Sequence, residues 1–229
     1  MASVLGLDTS AAACSAAVWR DGAVVAGERL EMARGHAEAL MPMVERVMEA
    51  AGLRYQALAA VAATRGPGAF TGLRIGLAAA RGLALAAGIP ALGISAFAAV
   101  AAAIPEAVRR GRALAVAIDT KRGDVYLQCF AASLEPVGEG RVIGPDAAAA
   151  ALPTGPLYVA GDGVALLRAA LAAHAGEIAF DSAPAPPDAR RVAELGAAAW
   201  ARGAPFPPPE PLYLRLPEAT PLALQGKKR

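Results

Sequence analysis

The stretch Thr64-Arg65-Gly66-Pro67-Gly68-Ala69-Phe70-Thr71-Gly72-Leu73-Arg74-Ile75-Gly76 constrains this chain most, because a short apolar segment breaks there into a glycine–proline turn and restarts as a helix. Pro67 fixes φ, and Gly66 and Gly68 admit backbone angles that other residues avoid, so sterics shape the turn. Thr71 is expected as the N-cap, its hydroxyl meeting a free N–H two or three residues on. Gly68, Gly72 and Gly76, followed by Ala80, leave one helical face nearly bare, which predicts close packing against a second helix. Anion binding at this helix N-terminus is the lesser reading, since no Gly-Lys-Ser/Thr follows.

At 229 residues the chain has the length for one large domain or two small lobes, each with a core. The formal charge of +2 is too small for an autonomous nucleic-acid binder, and Lys227-Lys228-Arg229 reads as a solvated tail. Cys14 and Cys129 sit in apolar runs as packing residues. His36 and His174 lie far apart in the sequence, and Leu40 stands where a second ligand one turn after His36 would be, so no metal site is legible. No serine or cysteine has the setting of a nucleophile with base and orienter, so no catalytic residue is assigned. The N-terminus lacks a basic region followed by a long apolar run, which points to the cytoplasm. Gly82 to Pro105 carries no charge and is long enough to cross a bilayer, but Gly88-Ile89-Pro90 divides it into soluble elements.

The chain opens as an antiparallel meander: a strand over 5–7 ending at Asp8, a second over 14–19, the hairpin signal Asp21-Gly22, and a third over 23–30. A helix over 36–51 places Leu40, Met43, Val44, Val47 and Ala51 at helical spacing, with Pro42 inside it as a kink or first-turn marker. A strand over 58–63, the turn and a helix over 71–87 follow, then a strand over 90–95 and a helix from Ala96. Leu5-Gly6-Leu7-Asp8-Thr9 is echoed by Val116-Ala117-Ile118-Asp119-Thr120, with Trp19 and Phe130 closing the two copies at the same distance from the aspartate. This predicts an internal duplication, with two lobes facing across a cleft and divided as 1–105 and 106–229. A strand over 157–160 runs into Gly161-Asp162-Gly163, helices follow over 164–175 and 190–202, and 211–215 reads as an edge segment or docking strap after a stiff proline-rich connector. Asp8, Thr9 and Ser10, with Asp119, Gly161, Asp162 and Gly163, are the candidate nucleotide residues. An Asx turn at Asp8 is the more common reading.

On Leu5-Gly6-Leu7-Asp8-Thr9-Ser10, the 65–76 segment, Leu40-Met41-Pro42-Met43-Val44, Ala117-Ile118-Asp119 with Asp124-Val125-Tyr126, and Glu210-Pro211-Leu212-Tyr213-Leu214-Arg215, the chain closely resembles the TsaB (YeaZ) family over nearly its whole length. Ala69 stands where that family commonly has serine. The resemblance implies an α/β, two-lobed actin/Hsp70-like (ASKHA) fold with duplicated mixed-sheet lobes. It further implies a noncatalytic partner of TsaD, the paralogue that transfers threonylcarbamoyl to adenosine beside the tRNA anticodon. TsaD binds metal through His-x-x-x-His, where this chain has His36 and Leu40. TsaE joins the complex, TsaC makes the activated intermediate, tRNA is met only through the complex, and no membrane is involved. The chain requires no cofactor of its own, with weak ATP or ADP binding as the open question. The two helices after the meander are implied as the surface that pairs with TsaD or with a second copy, through His36, Leu40, Met43, Val44 and Val47 on one and Arg74, Ile75, Gly76, Ala79 and Leu83 on the other. On that reading Val47→Asp breaks association and leaves the monomer folded. Two competing classes remain: a nucleotide-binding enzyme or glycoprotease-like peptidase, and a homodimeric nucleotide sensor.

Overall fold

The computed structural model describes residues 2–174 and 176–215. Its first half runs β1 (Ser3–Ala11), β2 (Ala13–Arg20), β3 (Ala23–Glu31), α1 (His36–Ala50), β4 (Ala60–Gly66), α2 (Phe70–Ala87), β5 (Ala91–Ser95) and α3 (Ala96–Ala103). Its second half runs α4 (Glu106–Arg109), β6 (Ala113–Asp119), β7 (Val125–Phe130), β8 (Pro136–Ile143), α5 (Pro145–Ala151), β9 (Leu157–Ala160), α6 (Val164–Leu167), β10 (Ile178–Phe180) and α7 (Ala189–Ala201).

The strands form two five-stranded sheets with matching topology. In space the first reads β3-β2-β1-β4-β5, and the second, taken from its outer edge, reads β8-β7-β6-β9-β10. Each is an antiparallel three-strand meander extended by two parallel strands, so the duplication legible in the sequence is a duplication of architecture.

Both faces of each sheet are covered, which is why the central strands read as continuous apolar runs instead of alternating. On the first sheet Leu5 and Leu7 of β1 point with Val61 and Ala63 into a core closed by α1 and α2. Val4, Ala60, Ala62 and Leu92 point the other way, against Val192, Ala197 and Ala199 of α7. A Cβ on Gly6 would lie 2.4 Å from the Ala189 carbonyl oxygen, so α7 rests directly on the strand backbone. On the second sheet Phe97, Val100 and Ala101 of α3 cover Leu114, Val116 and Ile118, while Leu152, Val164 and Leu167 cover the opposite face. The covering helices cross the expected 105/106 division: α7 covers the first sheet, and α3 lies between the two, with Phe97, Val100 and Ala101 in the second core and Ala99 in the first.

Several local expectations change. Helix α2 begins at Phe70 with Ala69 at the N-cap and no side-chain cap, and Thr71 is an exposed first-turn residue. The bare glycine face of α2 meets a strand end, not a helix: Cβ atoms on Gly72 and Gly68 would lie 2.0 Å from the Thr9 and 2.5 Å from the Ser10 carbonyl oxygens. The expected helix over 164–175 is two short pieces, α6 and a 3-10 turn at Ala170–Ala173. The sequence reading missed β8, α5 and β10, where exposed positions, an alanine run and a three-residue strand leave little periodicity. After α7 the chain returns in extended form over the first lobe, with the Gly93 amide donating to Pro207 (3.0 Å) and the Leu212 amide to Arg65 (2.7 Å). The terminal Lys227-Lys228-Arg229 lies outside the described residues.

Candidate functional site

Parallel pairs β1/β4 and β6/β9 point their carboxyl ends at one another, the place where open α/β sheets present their working loops. A cleft of about 790 Å³ opens there between the lobes. Its first-lobe wall comes from Thr9, Ser10, His36, Thr71, Gly72 and Ile75, and its second-lobe wall from Ile118, Asp119, Thr120, Lys121, Tyr126 and Asp162. The sequence thus brought Thr9, Ser10, Asp119 and Asp162 to one cavity.

Asp8 does not line it. Its side chain is 1% exposed, and Oδ1 accepts from the Ser10 hydroxyl (2.7 Å) and amide (3.4 Å), the local bonding of an Asx turn. Burial pushes this carboxyl up to about 6 although bonding to the Thr64 hydroxyl, and then to Ser10, favours its charged form. Gly161 and Gly163 are structural. The first has φ 97° and a Cβ position 2.2 Å from the Ala117 carbonyl oxygen, and the second has one 2.9 Å from Val125.

Lys121, with φ 61°, turns its ammonium into the two acids: Nζ is 2.9 Å from Asp119 Oδ2 and 3.8 Å from Asp162 Oδ2. Asp162 Oδ1 also accepts from the Asp119 amide (2.9 Å), while burial raises its carboxyl above the usual range. Hydrogen bonding to Asp119 raises the lysine in turn. One lysine thus bridges the acid pair from within the chain and offsets one of its two carboxylate charges. His36 Nε2 bonds the Ala11 carbonyl oxygen at 3.0 Å and so ties the start of α1 to the end of β1. Among the described residues no three His, Cys, Asp or Glu side chains gather as metal ligands would.

The second surface is the outer side of the adjoining α1 and α2. Leu40, Met43, Val44 and Val47, expected to meet a partner, are buried in the chain's own core with Leu5, Leu7, Val61 and Leu77. Gly76 is also buried, 2.6 Å at its Cβ position from Thr9 Oγ1. Hydrophobic spacing marks the inward stripe of an amphipathic helix, and these residues are that stripe. What faces outward is different: Ala37 and Met41 on α1, beside the charged Glu38, Glu45, Arg46 and Glu49, and Ala78, Gly82, Leu85 and Ala86 on α2, with Ile75, Ala79 and Leu83 half-buried between the helices. Leu85 is 85% exposed, and a Cβ on Gly82 would meet nothing within 4 Å. The outward residues were legible in principle, since α2 is apolar or small all round apart from Arg74 and Arg81, and a single core cannot cover such a helix. Arg74 sits at the margin of this face, its guanidinium 3.8 Å over the Phe70 ring. The cleft and the face share His36, Ala37, Thr71 and Ile75 as a common edge.

Two duplicated mixed-sheet lobes around a cleft define a two-lobed chain of the actin/Hsp70-like class, here with its cleft acids closed by a lysine. The family profile described as "TsaD: tRNA N6-adenosine threonylcarbamoyltransferase" matches residues 30–202. The solved structure titled "YeaZ from Pseudomonas aeruginosa" is 31% identical, covers 93% of this chain and 100% of its own, and superposes with a TM-score of 0.79. The chain belongs to the TsaB/YeaZ family. The "tRNA threonylcarbamoyladenosine biosynthesis protein TsaB" of Escherichia coli K12 is 41% identical over 54% of this chain, and the match spans about half (52%) of that relative's length. An uncharacterised Mycobacterium tuberculosis protein is 35% identical over 98% of this chain and 97% of its own length.

Proposed function

We propose that this chain is a noncatalytic cytoplasmic subunit that pairs through α1 and α2 with a TsaD-type transferase and is required for threonylcarbamoylation of adenosine next to the tRNA anticodon. The observation that carries the reading is the outward face itself. Small and apolar residues run along the outward side of α2 and continue onto Ala37 and Met41 at the start of α1, with Glu38, Glu45, Arg46 and Glu49 as a charged margin, and such an apolar surface excludes water only when a second one covers it. Small residues at Ala78 and Gly82 let a partner helix approach closely, which favours a bundle of four helices, two from each chain. In the absence of TsaD the same face serves a second copy. Lys121 stands between the cleft acids where a divalent cation would be held, which supports a subunit without a metal of its own, and TsaD, with TsaE and TsaC, carries the chemistry.

Reconstitution tests the role. TsaC, TsaD and TsaE with ATP, threonine, bicarbonate and an unmodified tRNA that reads a codon beginning with A should form threonylcarbamoyladenosine only when this chain is added. Ala78→Asp, which places a charge on the face and leaves the core intact, should fail to support the modification when it replaces the wild-type chain. Full modification without the chain would overturn the proposal.

A further inference from the structure

We propose that the strap at 205–215 positions α2 for its partner, so that partner affinity is set in part by residues lying outside the docking face. The inference rests on the pairing reading above.

Helix α2 is poorly secured by its own sequence at its N-terminal end. It has no side-chain cap, and Gly72 and Gly76 in its first two turns each weaken a helix relative to alanine. The strap supplies what the sequence lacks. Phe70, Arg74 and Arg81 form one stripe of α2, and all three meet it. The Phe70 and Tyr213 rings lie 5.0 Å apart, Arg74 Nε donates to the Tyr213 hydroxyl at 3.1 Å, and Arg81 donates to the Pro209 carbonyl. The strap also runs against bare backbone. Cβ atoms on Gly66 and Gly93 would fall 2.7 Å from the Leu212 and 2.2 Å from the Pro208 carbonyl oxygen. Any larger residue at either position would lift the strap away.

The far end of the strap is fixed to the other lobe. Leu214 packs on the core formed by α3 and the second sheet, and Arg215 pairs with Asp124. The Thr120 hydroxyl, and then Arg215, hold the Asp124 carboxyl below the usual carboxylate range. Tyr213, which holds α2, is the direct neighbour of Leu214 in the chain, so movement at one anchorage is passed to the other, and Pro207, Pro208, Pro209 and Pro211 stiffen the approach to both. One edge of the docking face is therefore held by α1 and the other by a strap anchored on the second lobe.

Two variants test this, and neither alters the face: Tyr213→Ala releases α2, and Asp124→Asn releases the far anchorage. Hydrogen exchange on the isolated chain and calorimetric titration with TsaD are the readouts, with circular dichroism to confirm the fold. Both variants should bind TsaD about tenfold more weakly and exchange amides faster over 70–77, with the core of the first sheet still protected. Binding within twofold of wild type for both, or unchanged protection over 70–77, would overturn the proposal. Should wild type itself fail to bind TsaD, the pairing reading falls, and the exchange measurement still decides whether the strap holds α2.

Discussion

Asp8 illustrates how a residue in a motif can serve the fold and not the cleft. Its carboxyl is raised from 3.8 to about 6 by burial, so the folded chain holds that proton more tightly than the unfolded chain. The stabilisation is complete below about pH 4 and is lost as pH rises through 6. Asp8→Asn should therefore stabilise the chain by roughly 2–3 kcal/mol at pH 8 and by little at pH 4. Its amide nitrogen can donate to the buried Thr64 hydroxyl of the neighbouring strand, which interacts with the carboxylate in the wild type. Urea unfolding at the two pH values measures this; equal effects at both would show that Asp8 is not the titrating group. Glycine behaviour is just as position-specific. Gly72→Ala puts a methyl 2.0 Å from the Thr9 carbonyl and should destabilise by about 3 kcal/mol. Gly82→Ala meets nothing within 4 Å and should stabilise the isolated chain by about 0.5–1 kcal/mol. Thermal melts of the two variants should move in opposite directions.

At the scale of elements, sequence periodicity located α1 and α2 to within a residue or two and still misassigned their outward faces. A hydrophobic stripe says which side of a helix is buried, not whether the cover is the chain's own sheet or another molecule. Leu40, Met43, Val44 and Val47 take the first option, with β1, β2 and β4 beneath them. Val47 is 3% exposed, so Val47→Asp should unfold the monomer or destabilise it by about 3–5 kcal/mol, and it says nothing about a partner. Ala78→Asp is exposed in the monomer and should leave its melting temperature within a few degrees of wild type. Circular dichroism melts separate the two; a cooperative wild-type-like transition for Val47→Asp would contradict the packing of α1. The Gly-Pro-Gly turn was legible because proline and glycine act through local sterics, whereas the partner of the glycine face was not. That partner is the backbone of β1, many residues away in the chain, and small-residue spacing carries no information about what approaches it.

Across the whole molecule, the duplication was readable because the same strand–aspartate–turn pattern occurs at Asp8 and Asp119, and the two sheets match in topology. The return of α7 to the first sheet and the packing of α3 on both were not readable, since each helix is alanine-rich and its spacing names no sheet. Of the candidate cleft, Thr9, Ser10, Asp119 and Asp162 were found from strand ends. Lys121 was missed because its role depends on a left-handed turn that brings it back over Asp119 and across to Asp162. α3 packs on both sheets, and the α1–α2 surface is left as the outward face beside the cleft. The most direct measurement is light scattering on a sizing column of this chain with TsaD at equal micromolar concentration, for wild type and for Ala78→Asp. A one-to-one complex with wild type that is lost in the folded variant is the predicted result. No association by wild type, or an equally strong complex with Ala78→Asp, would contradict the account.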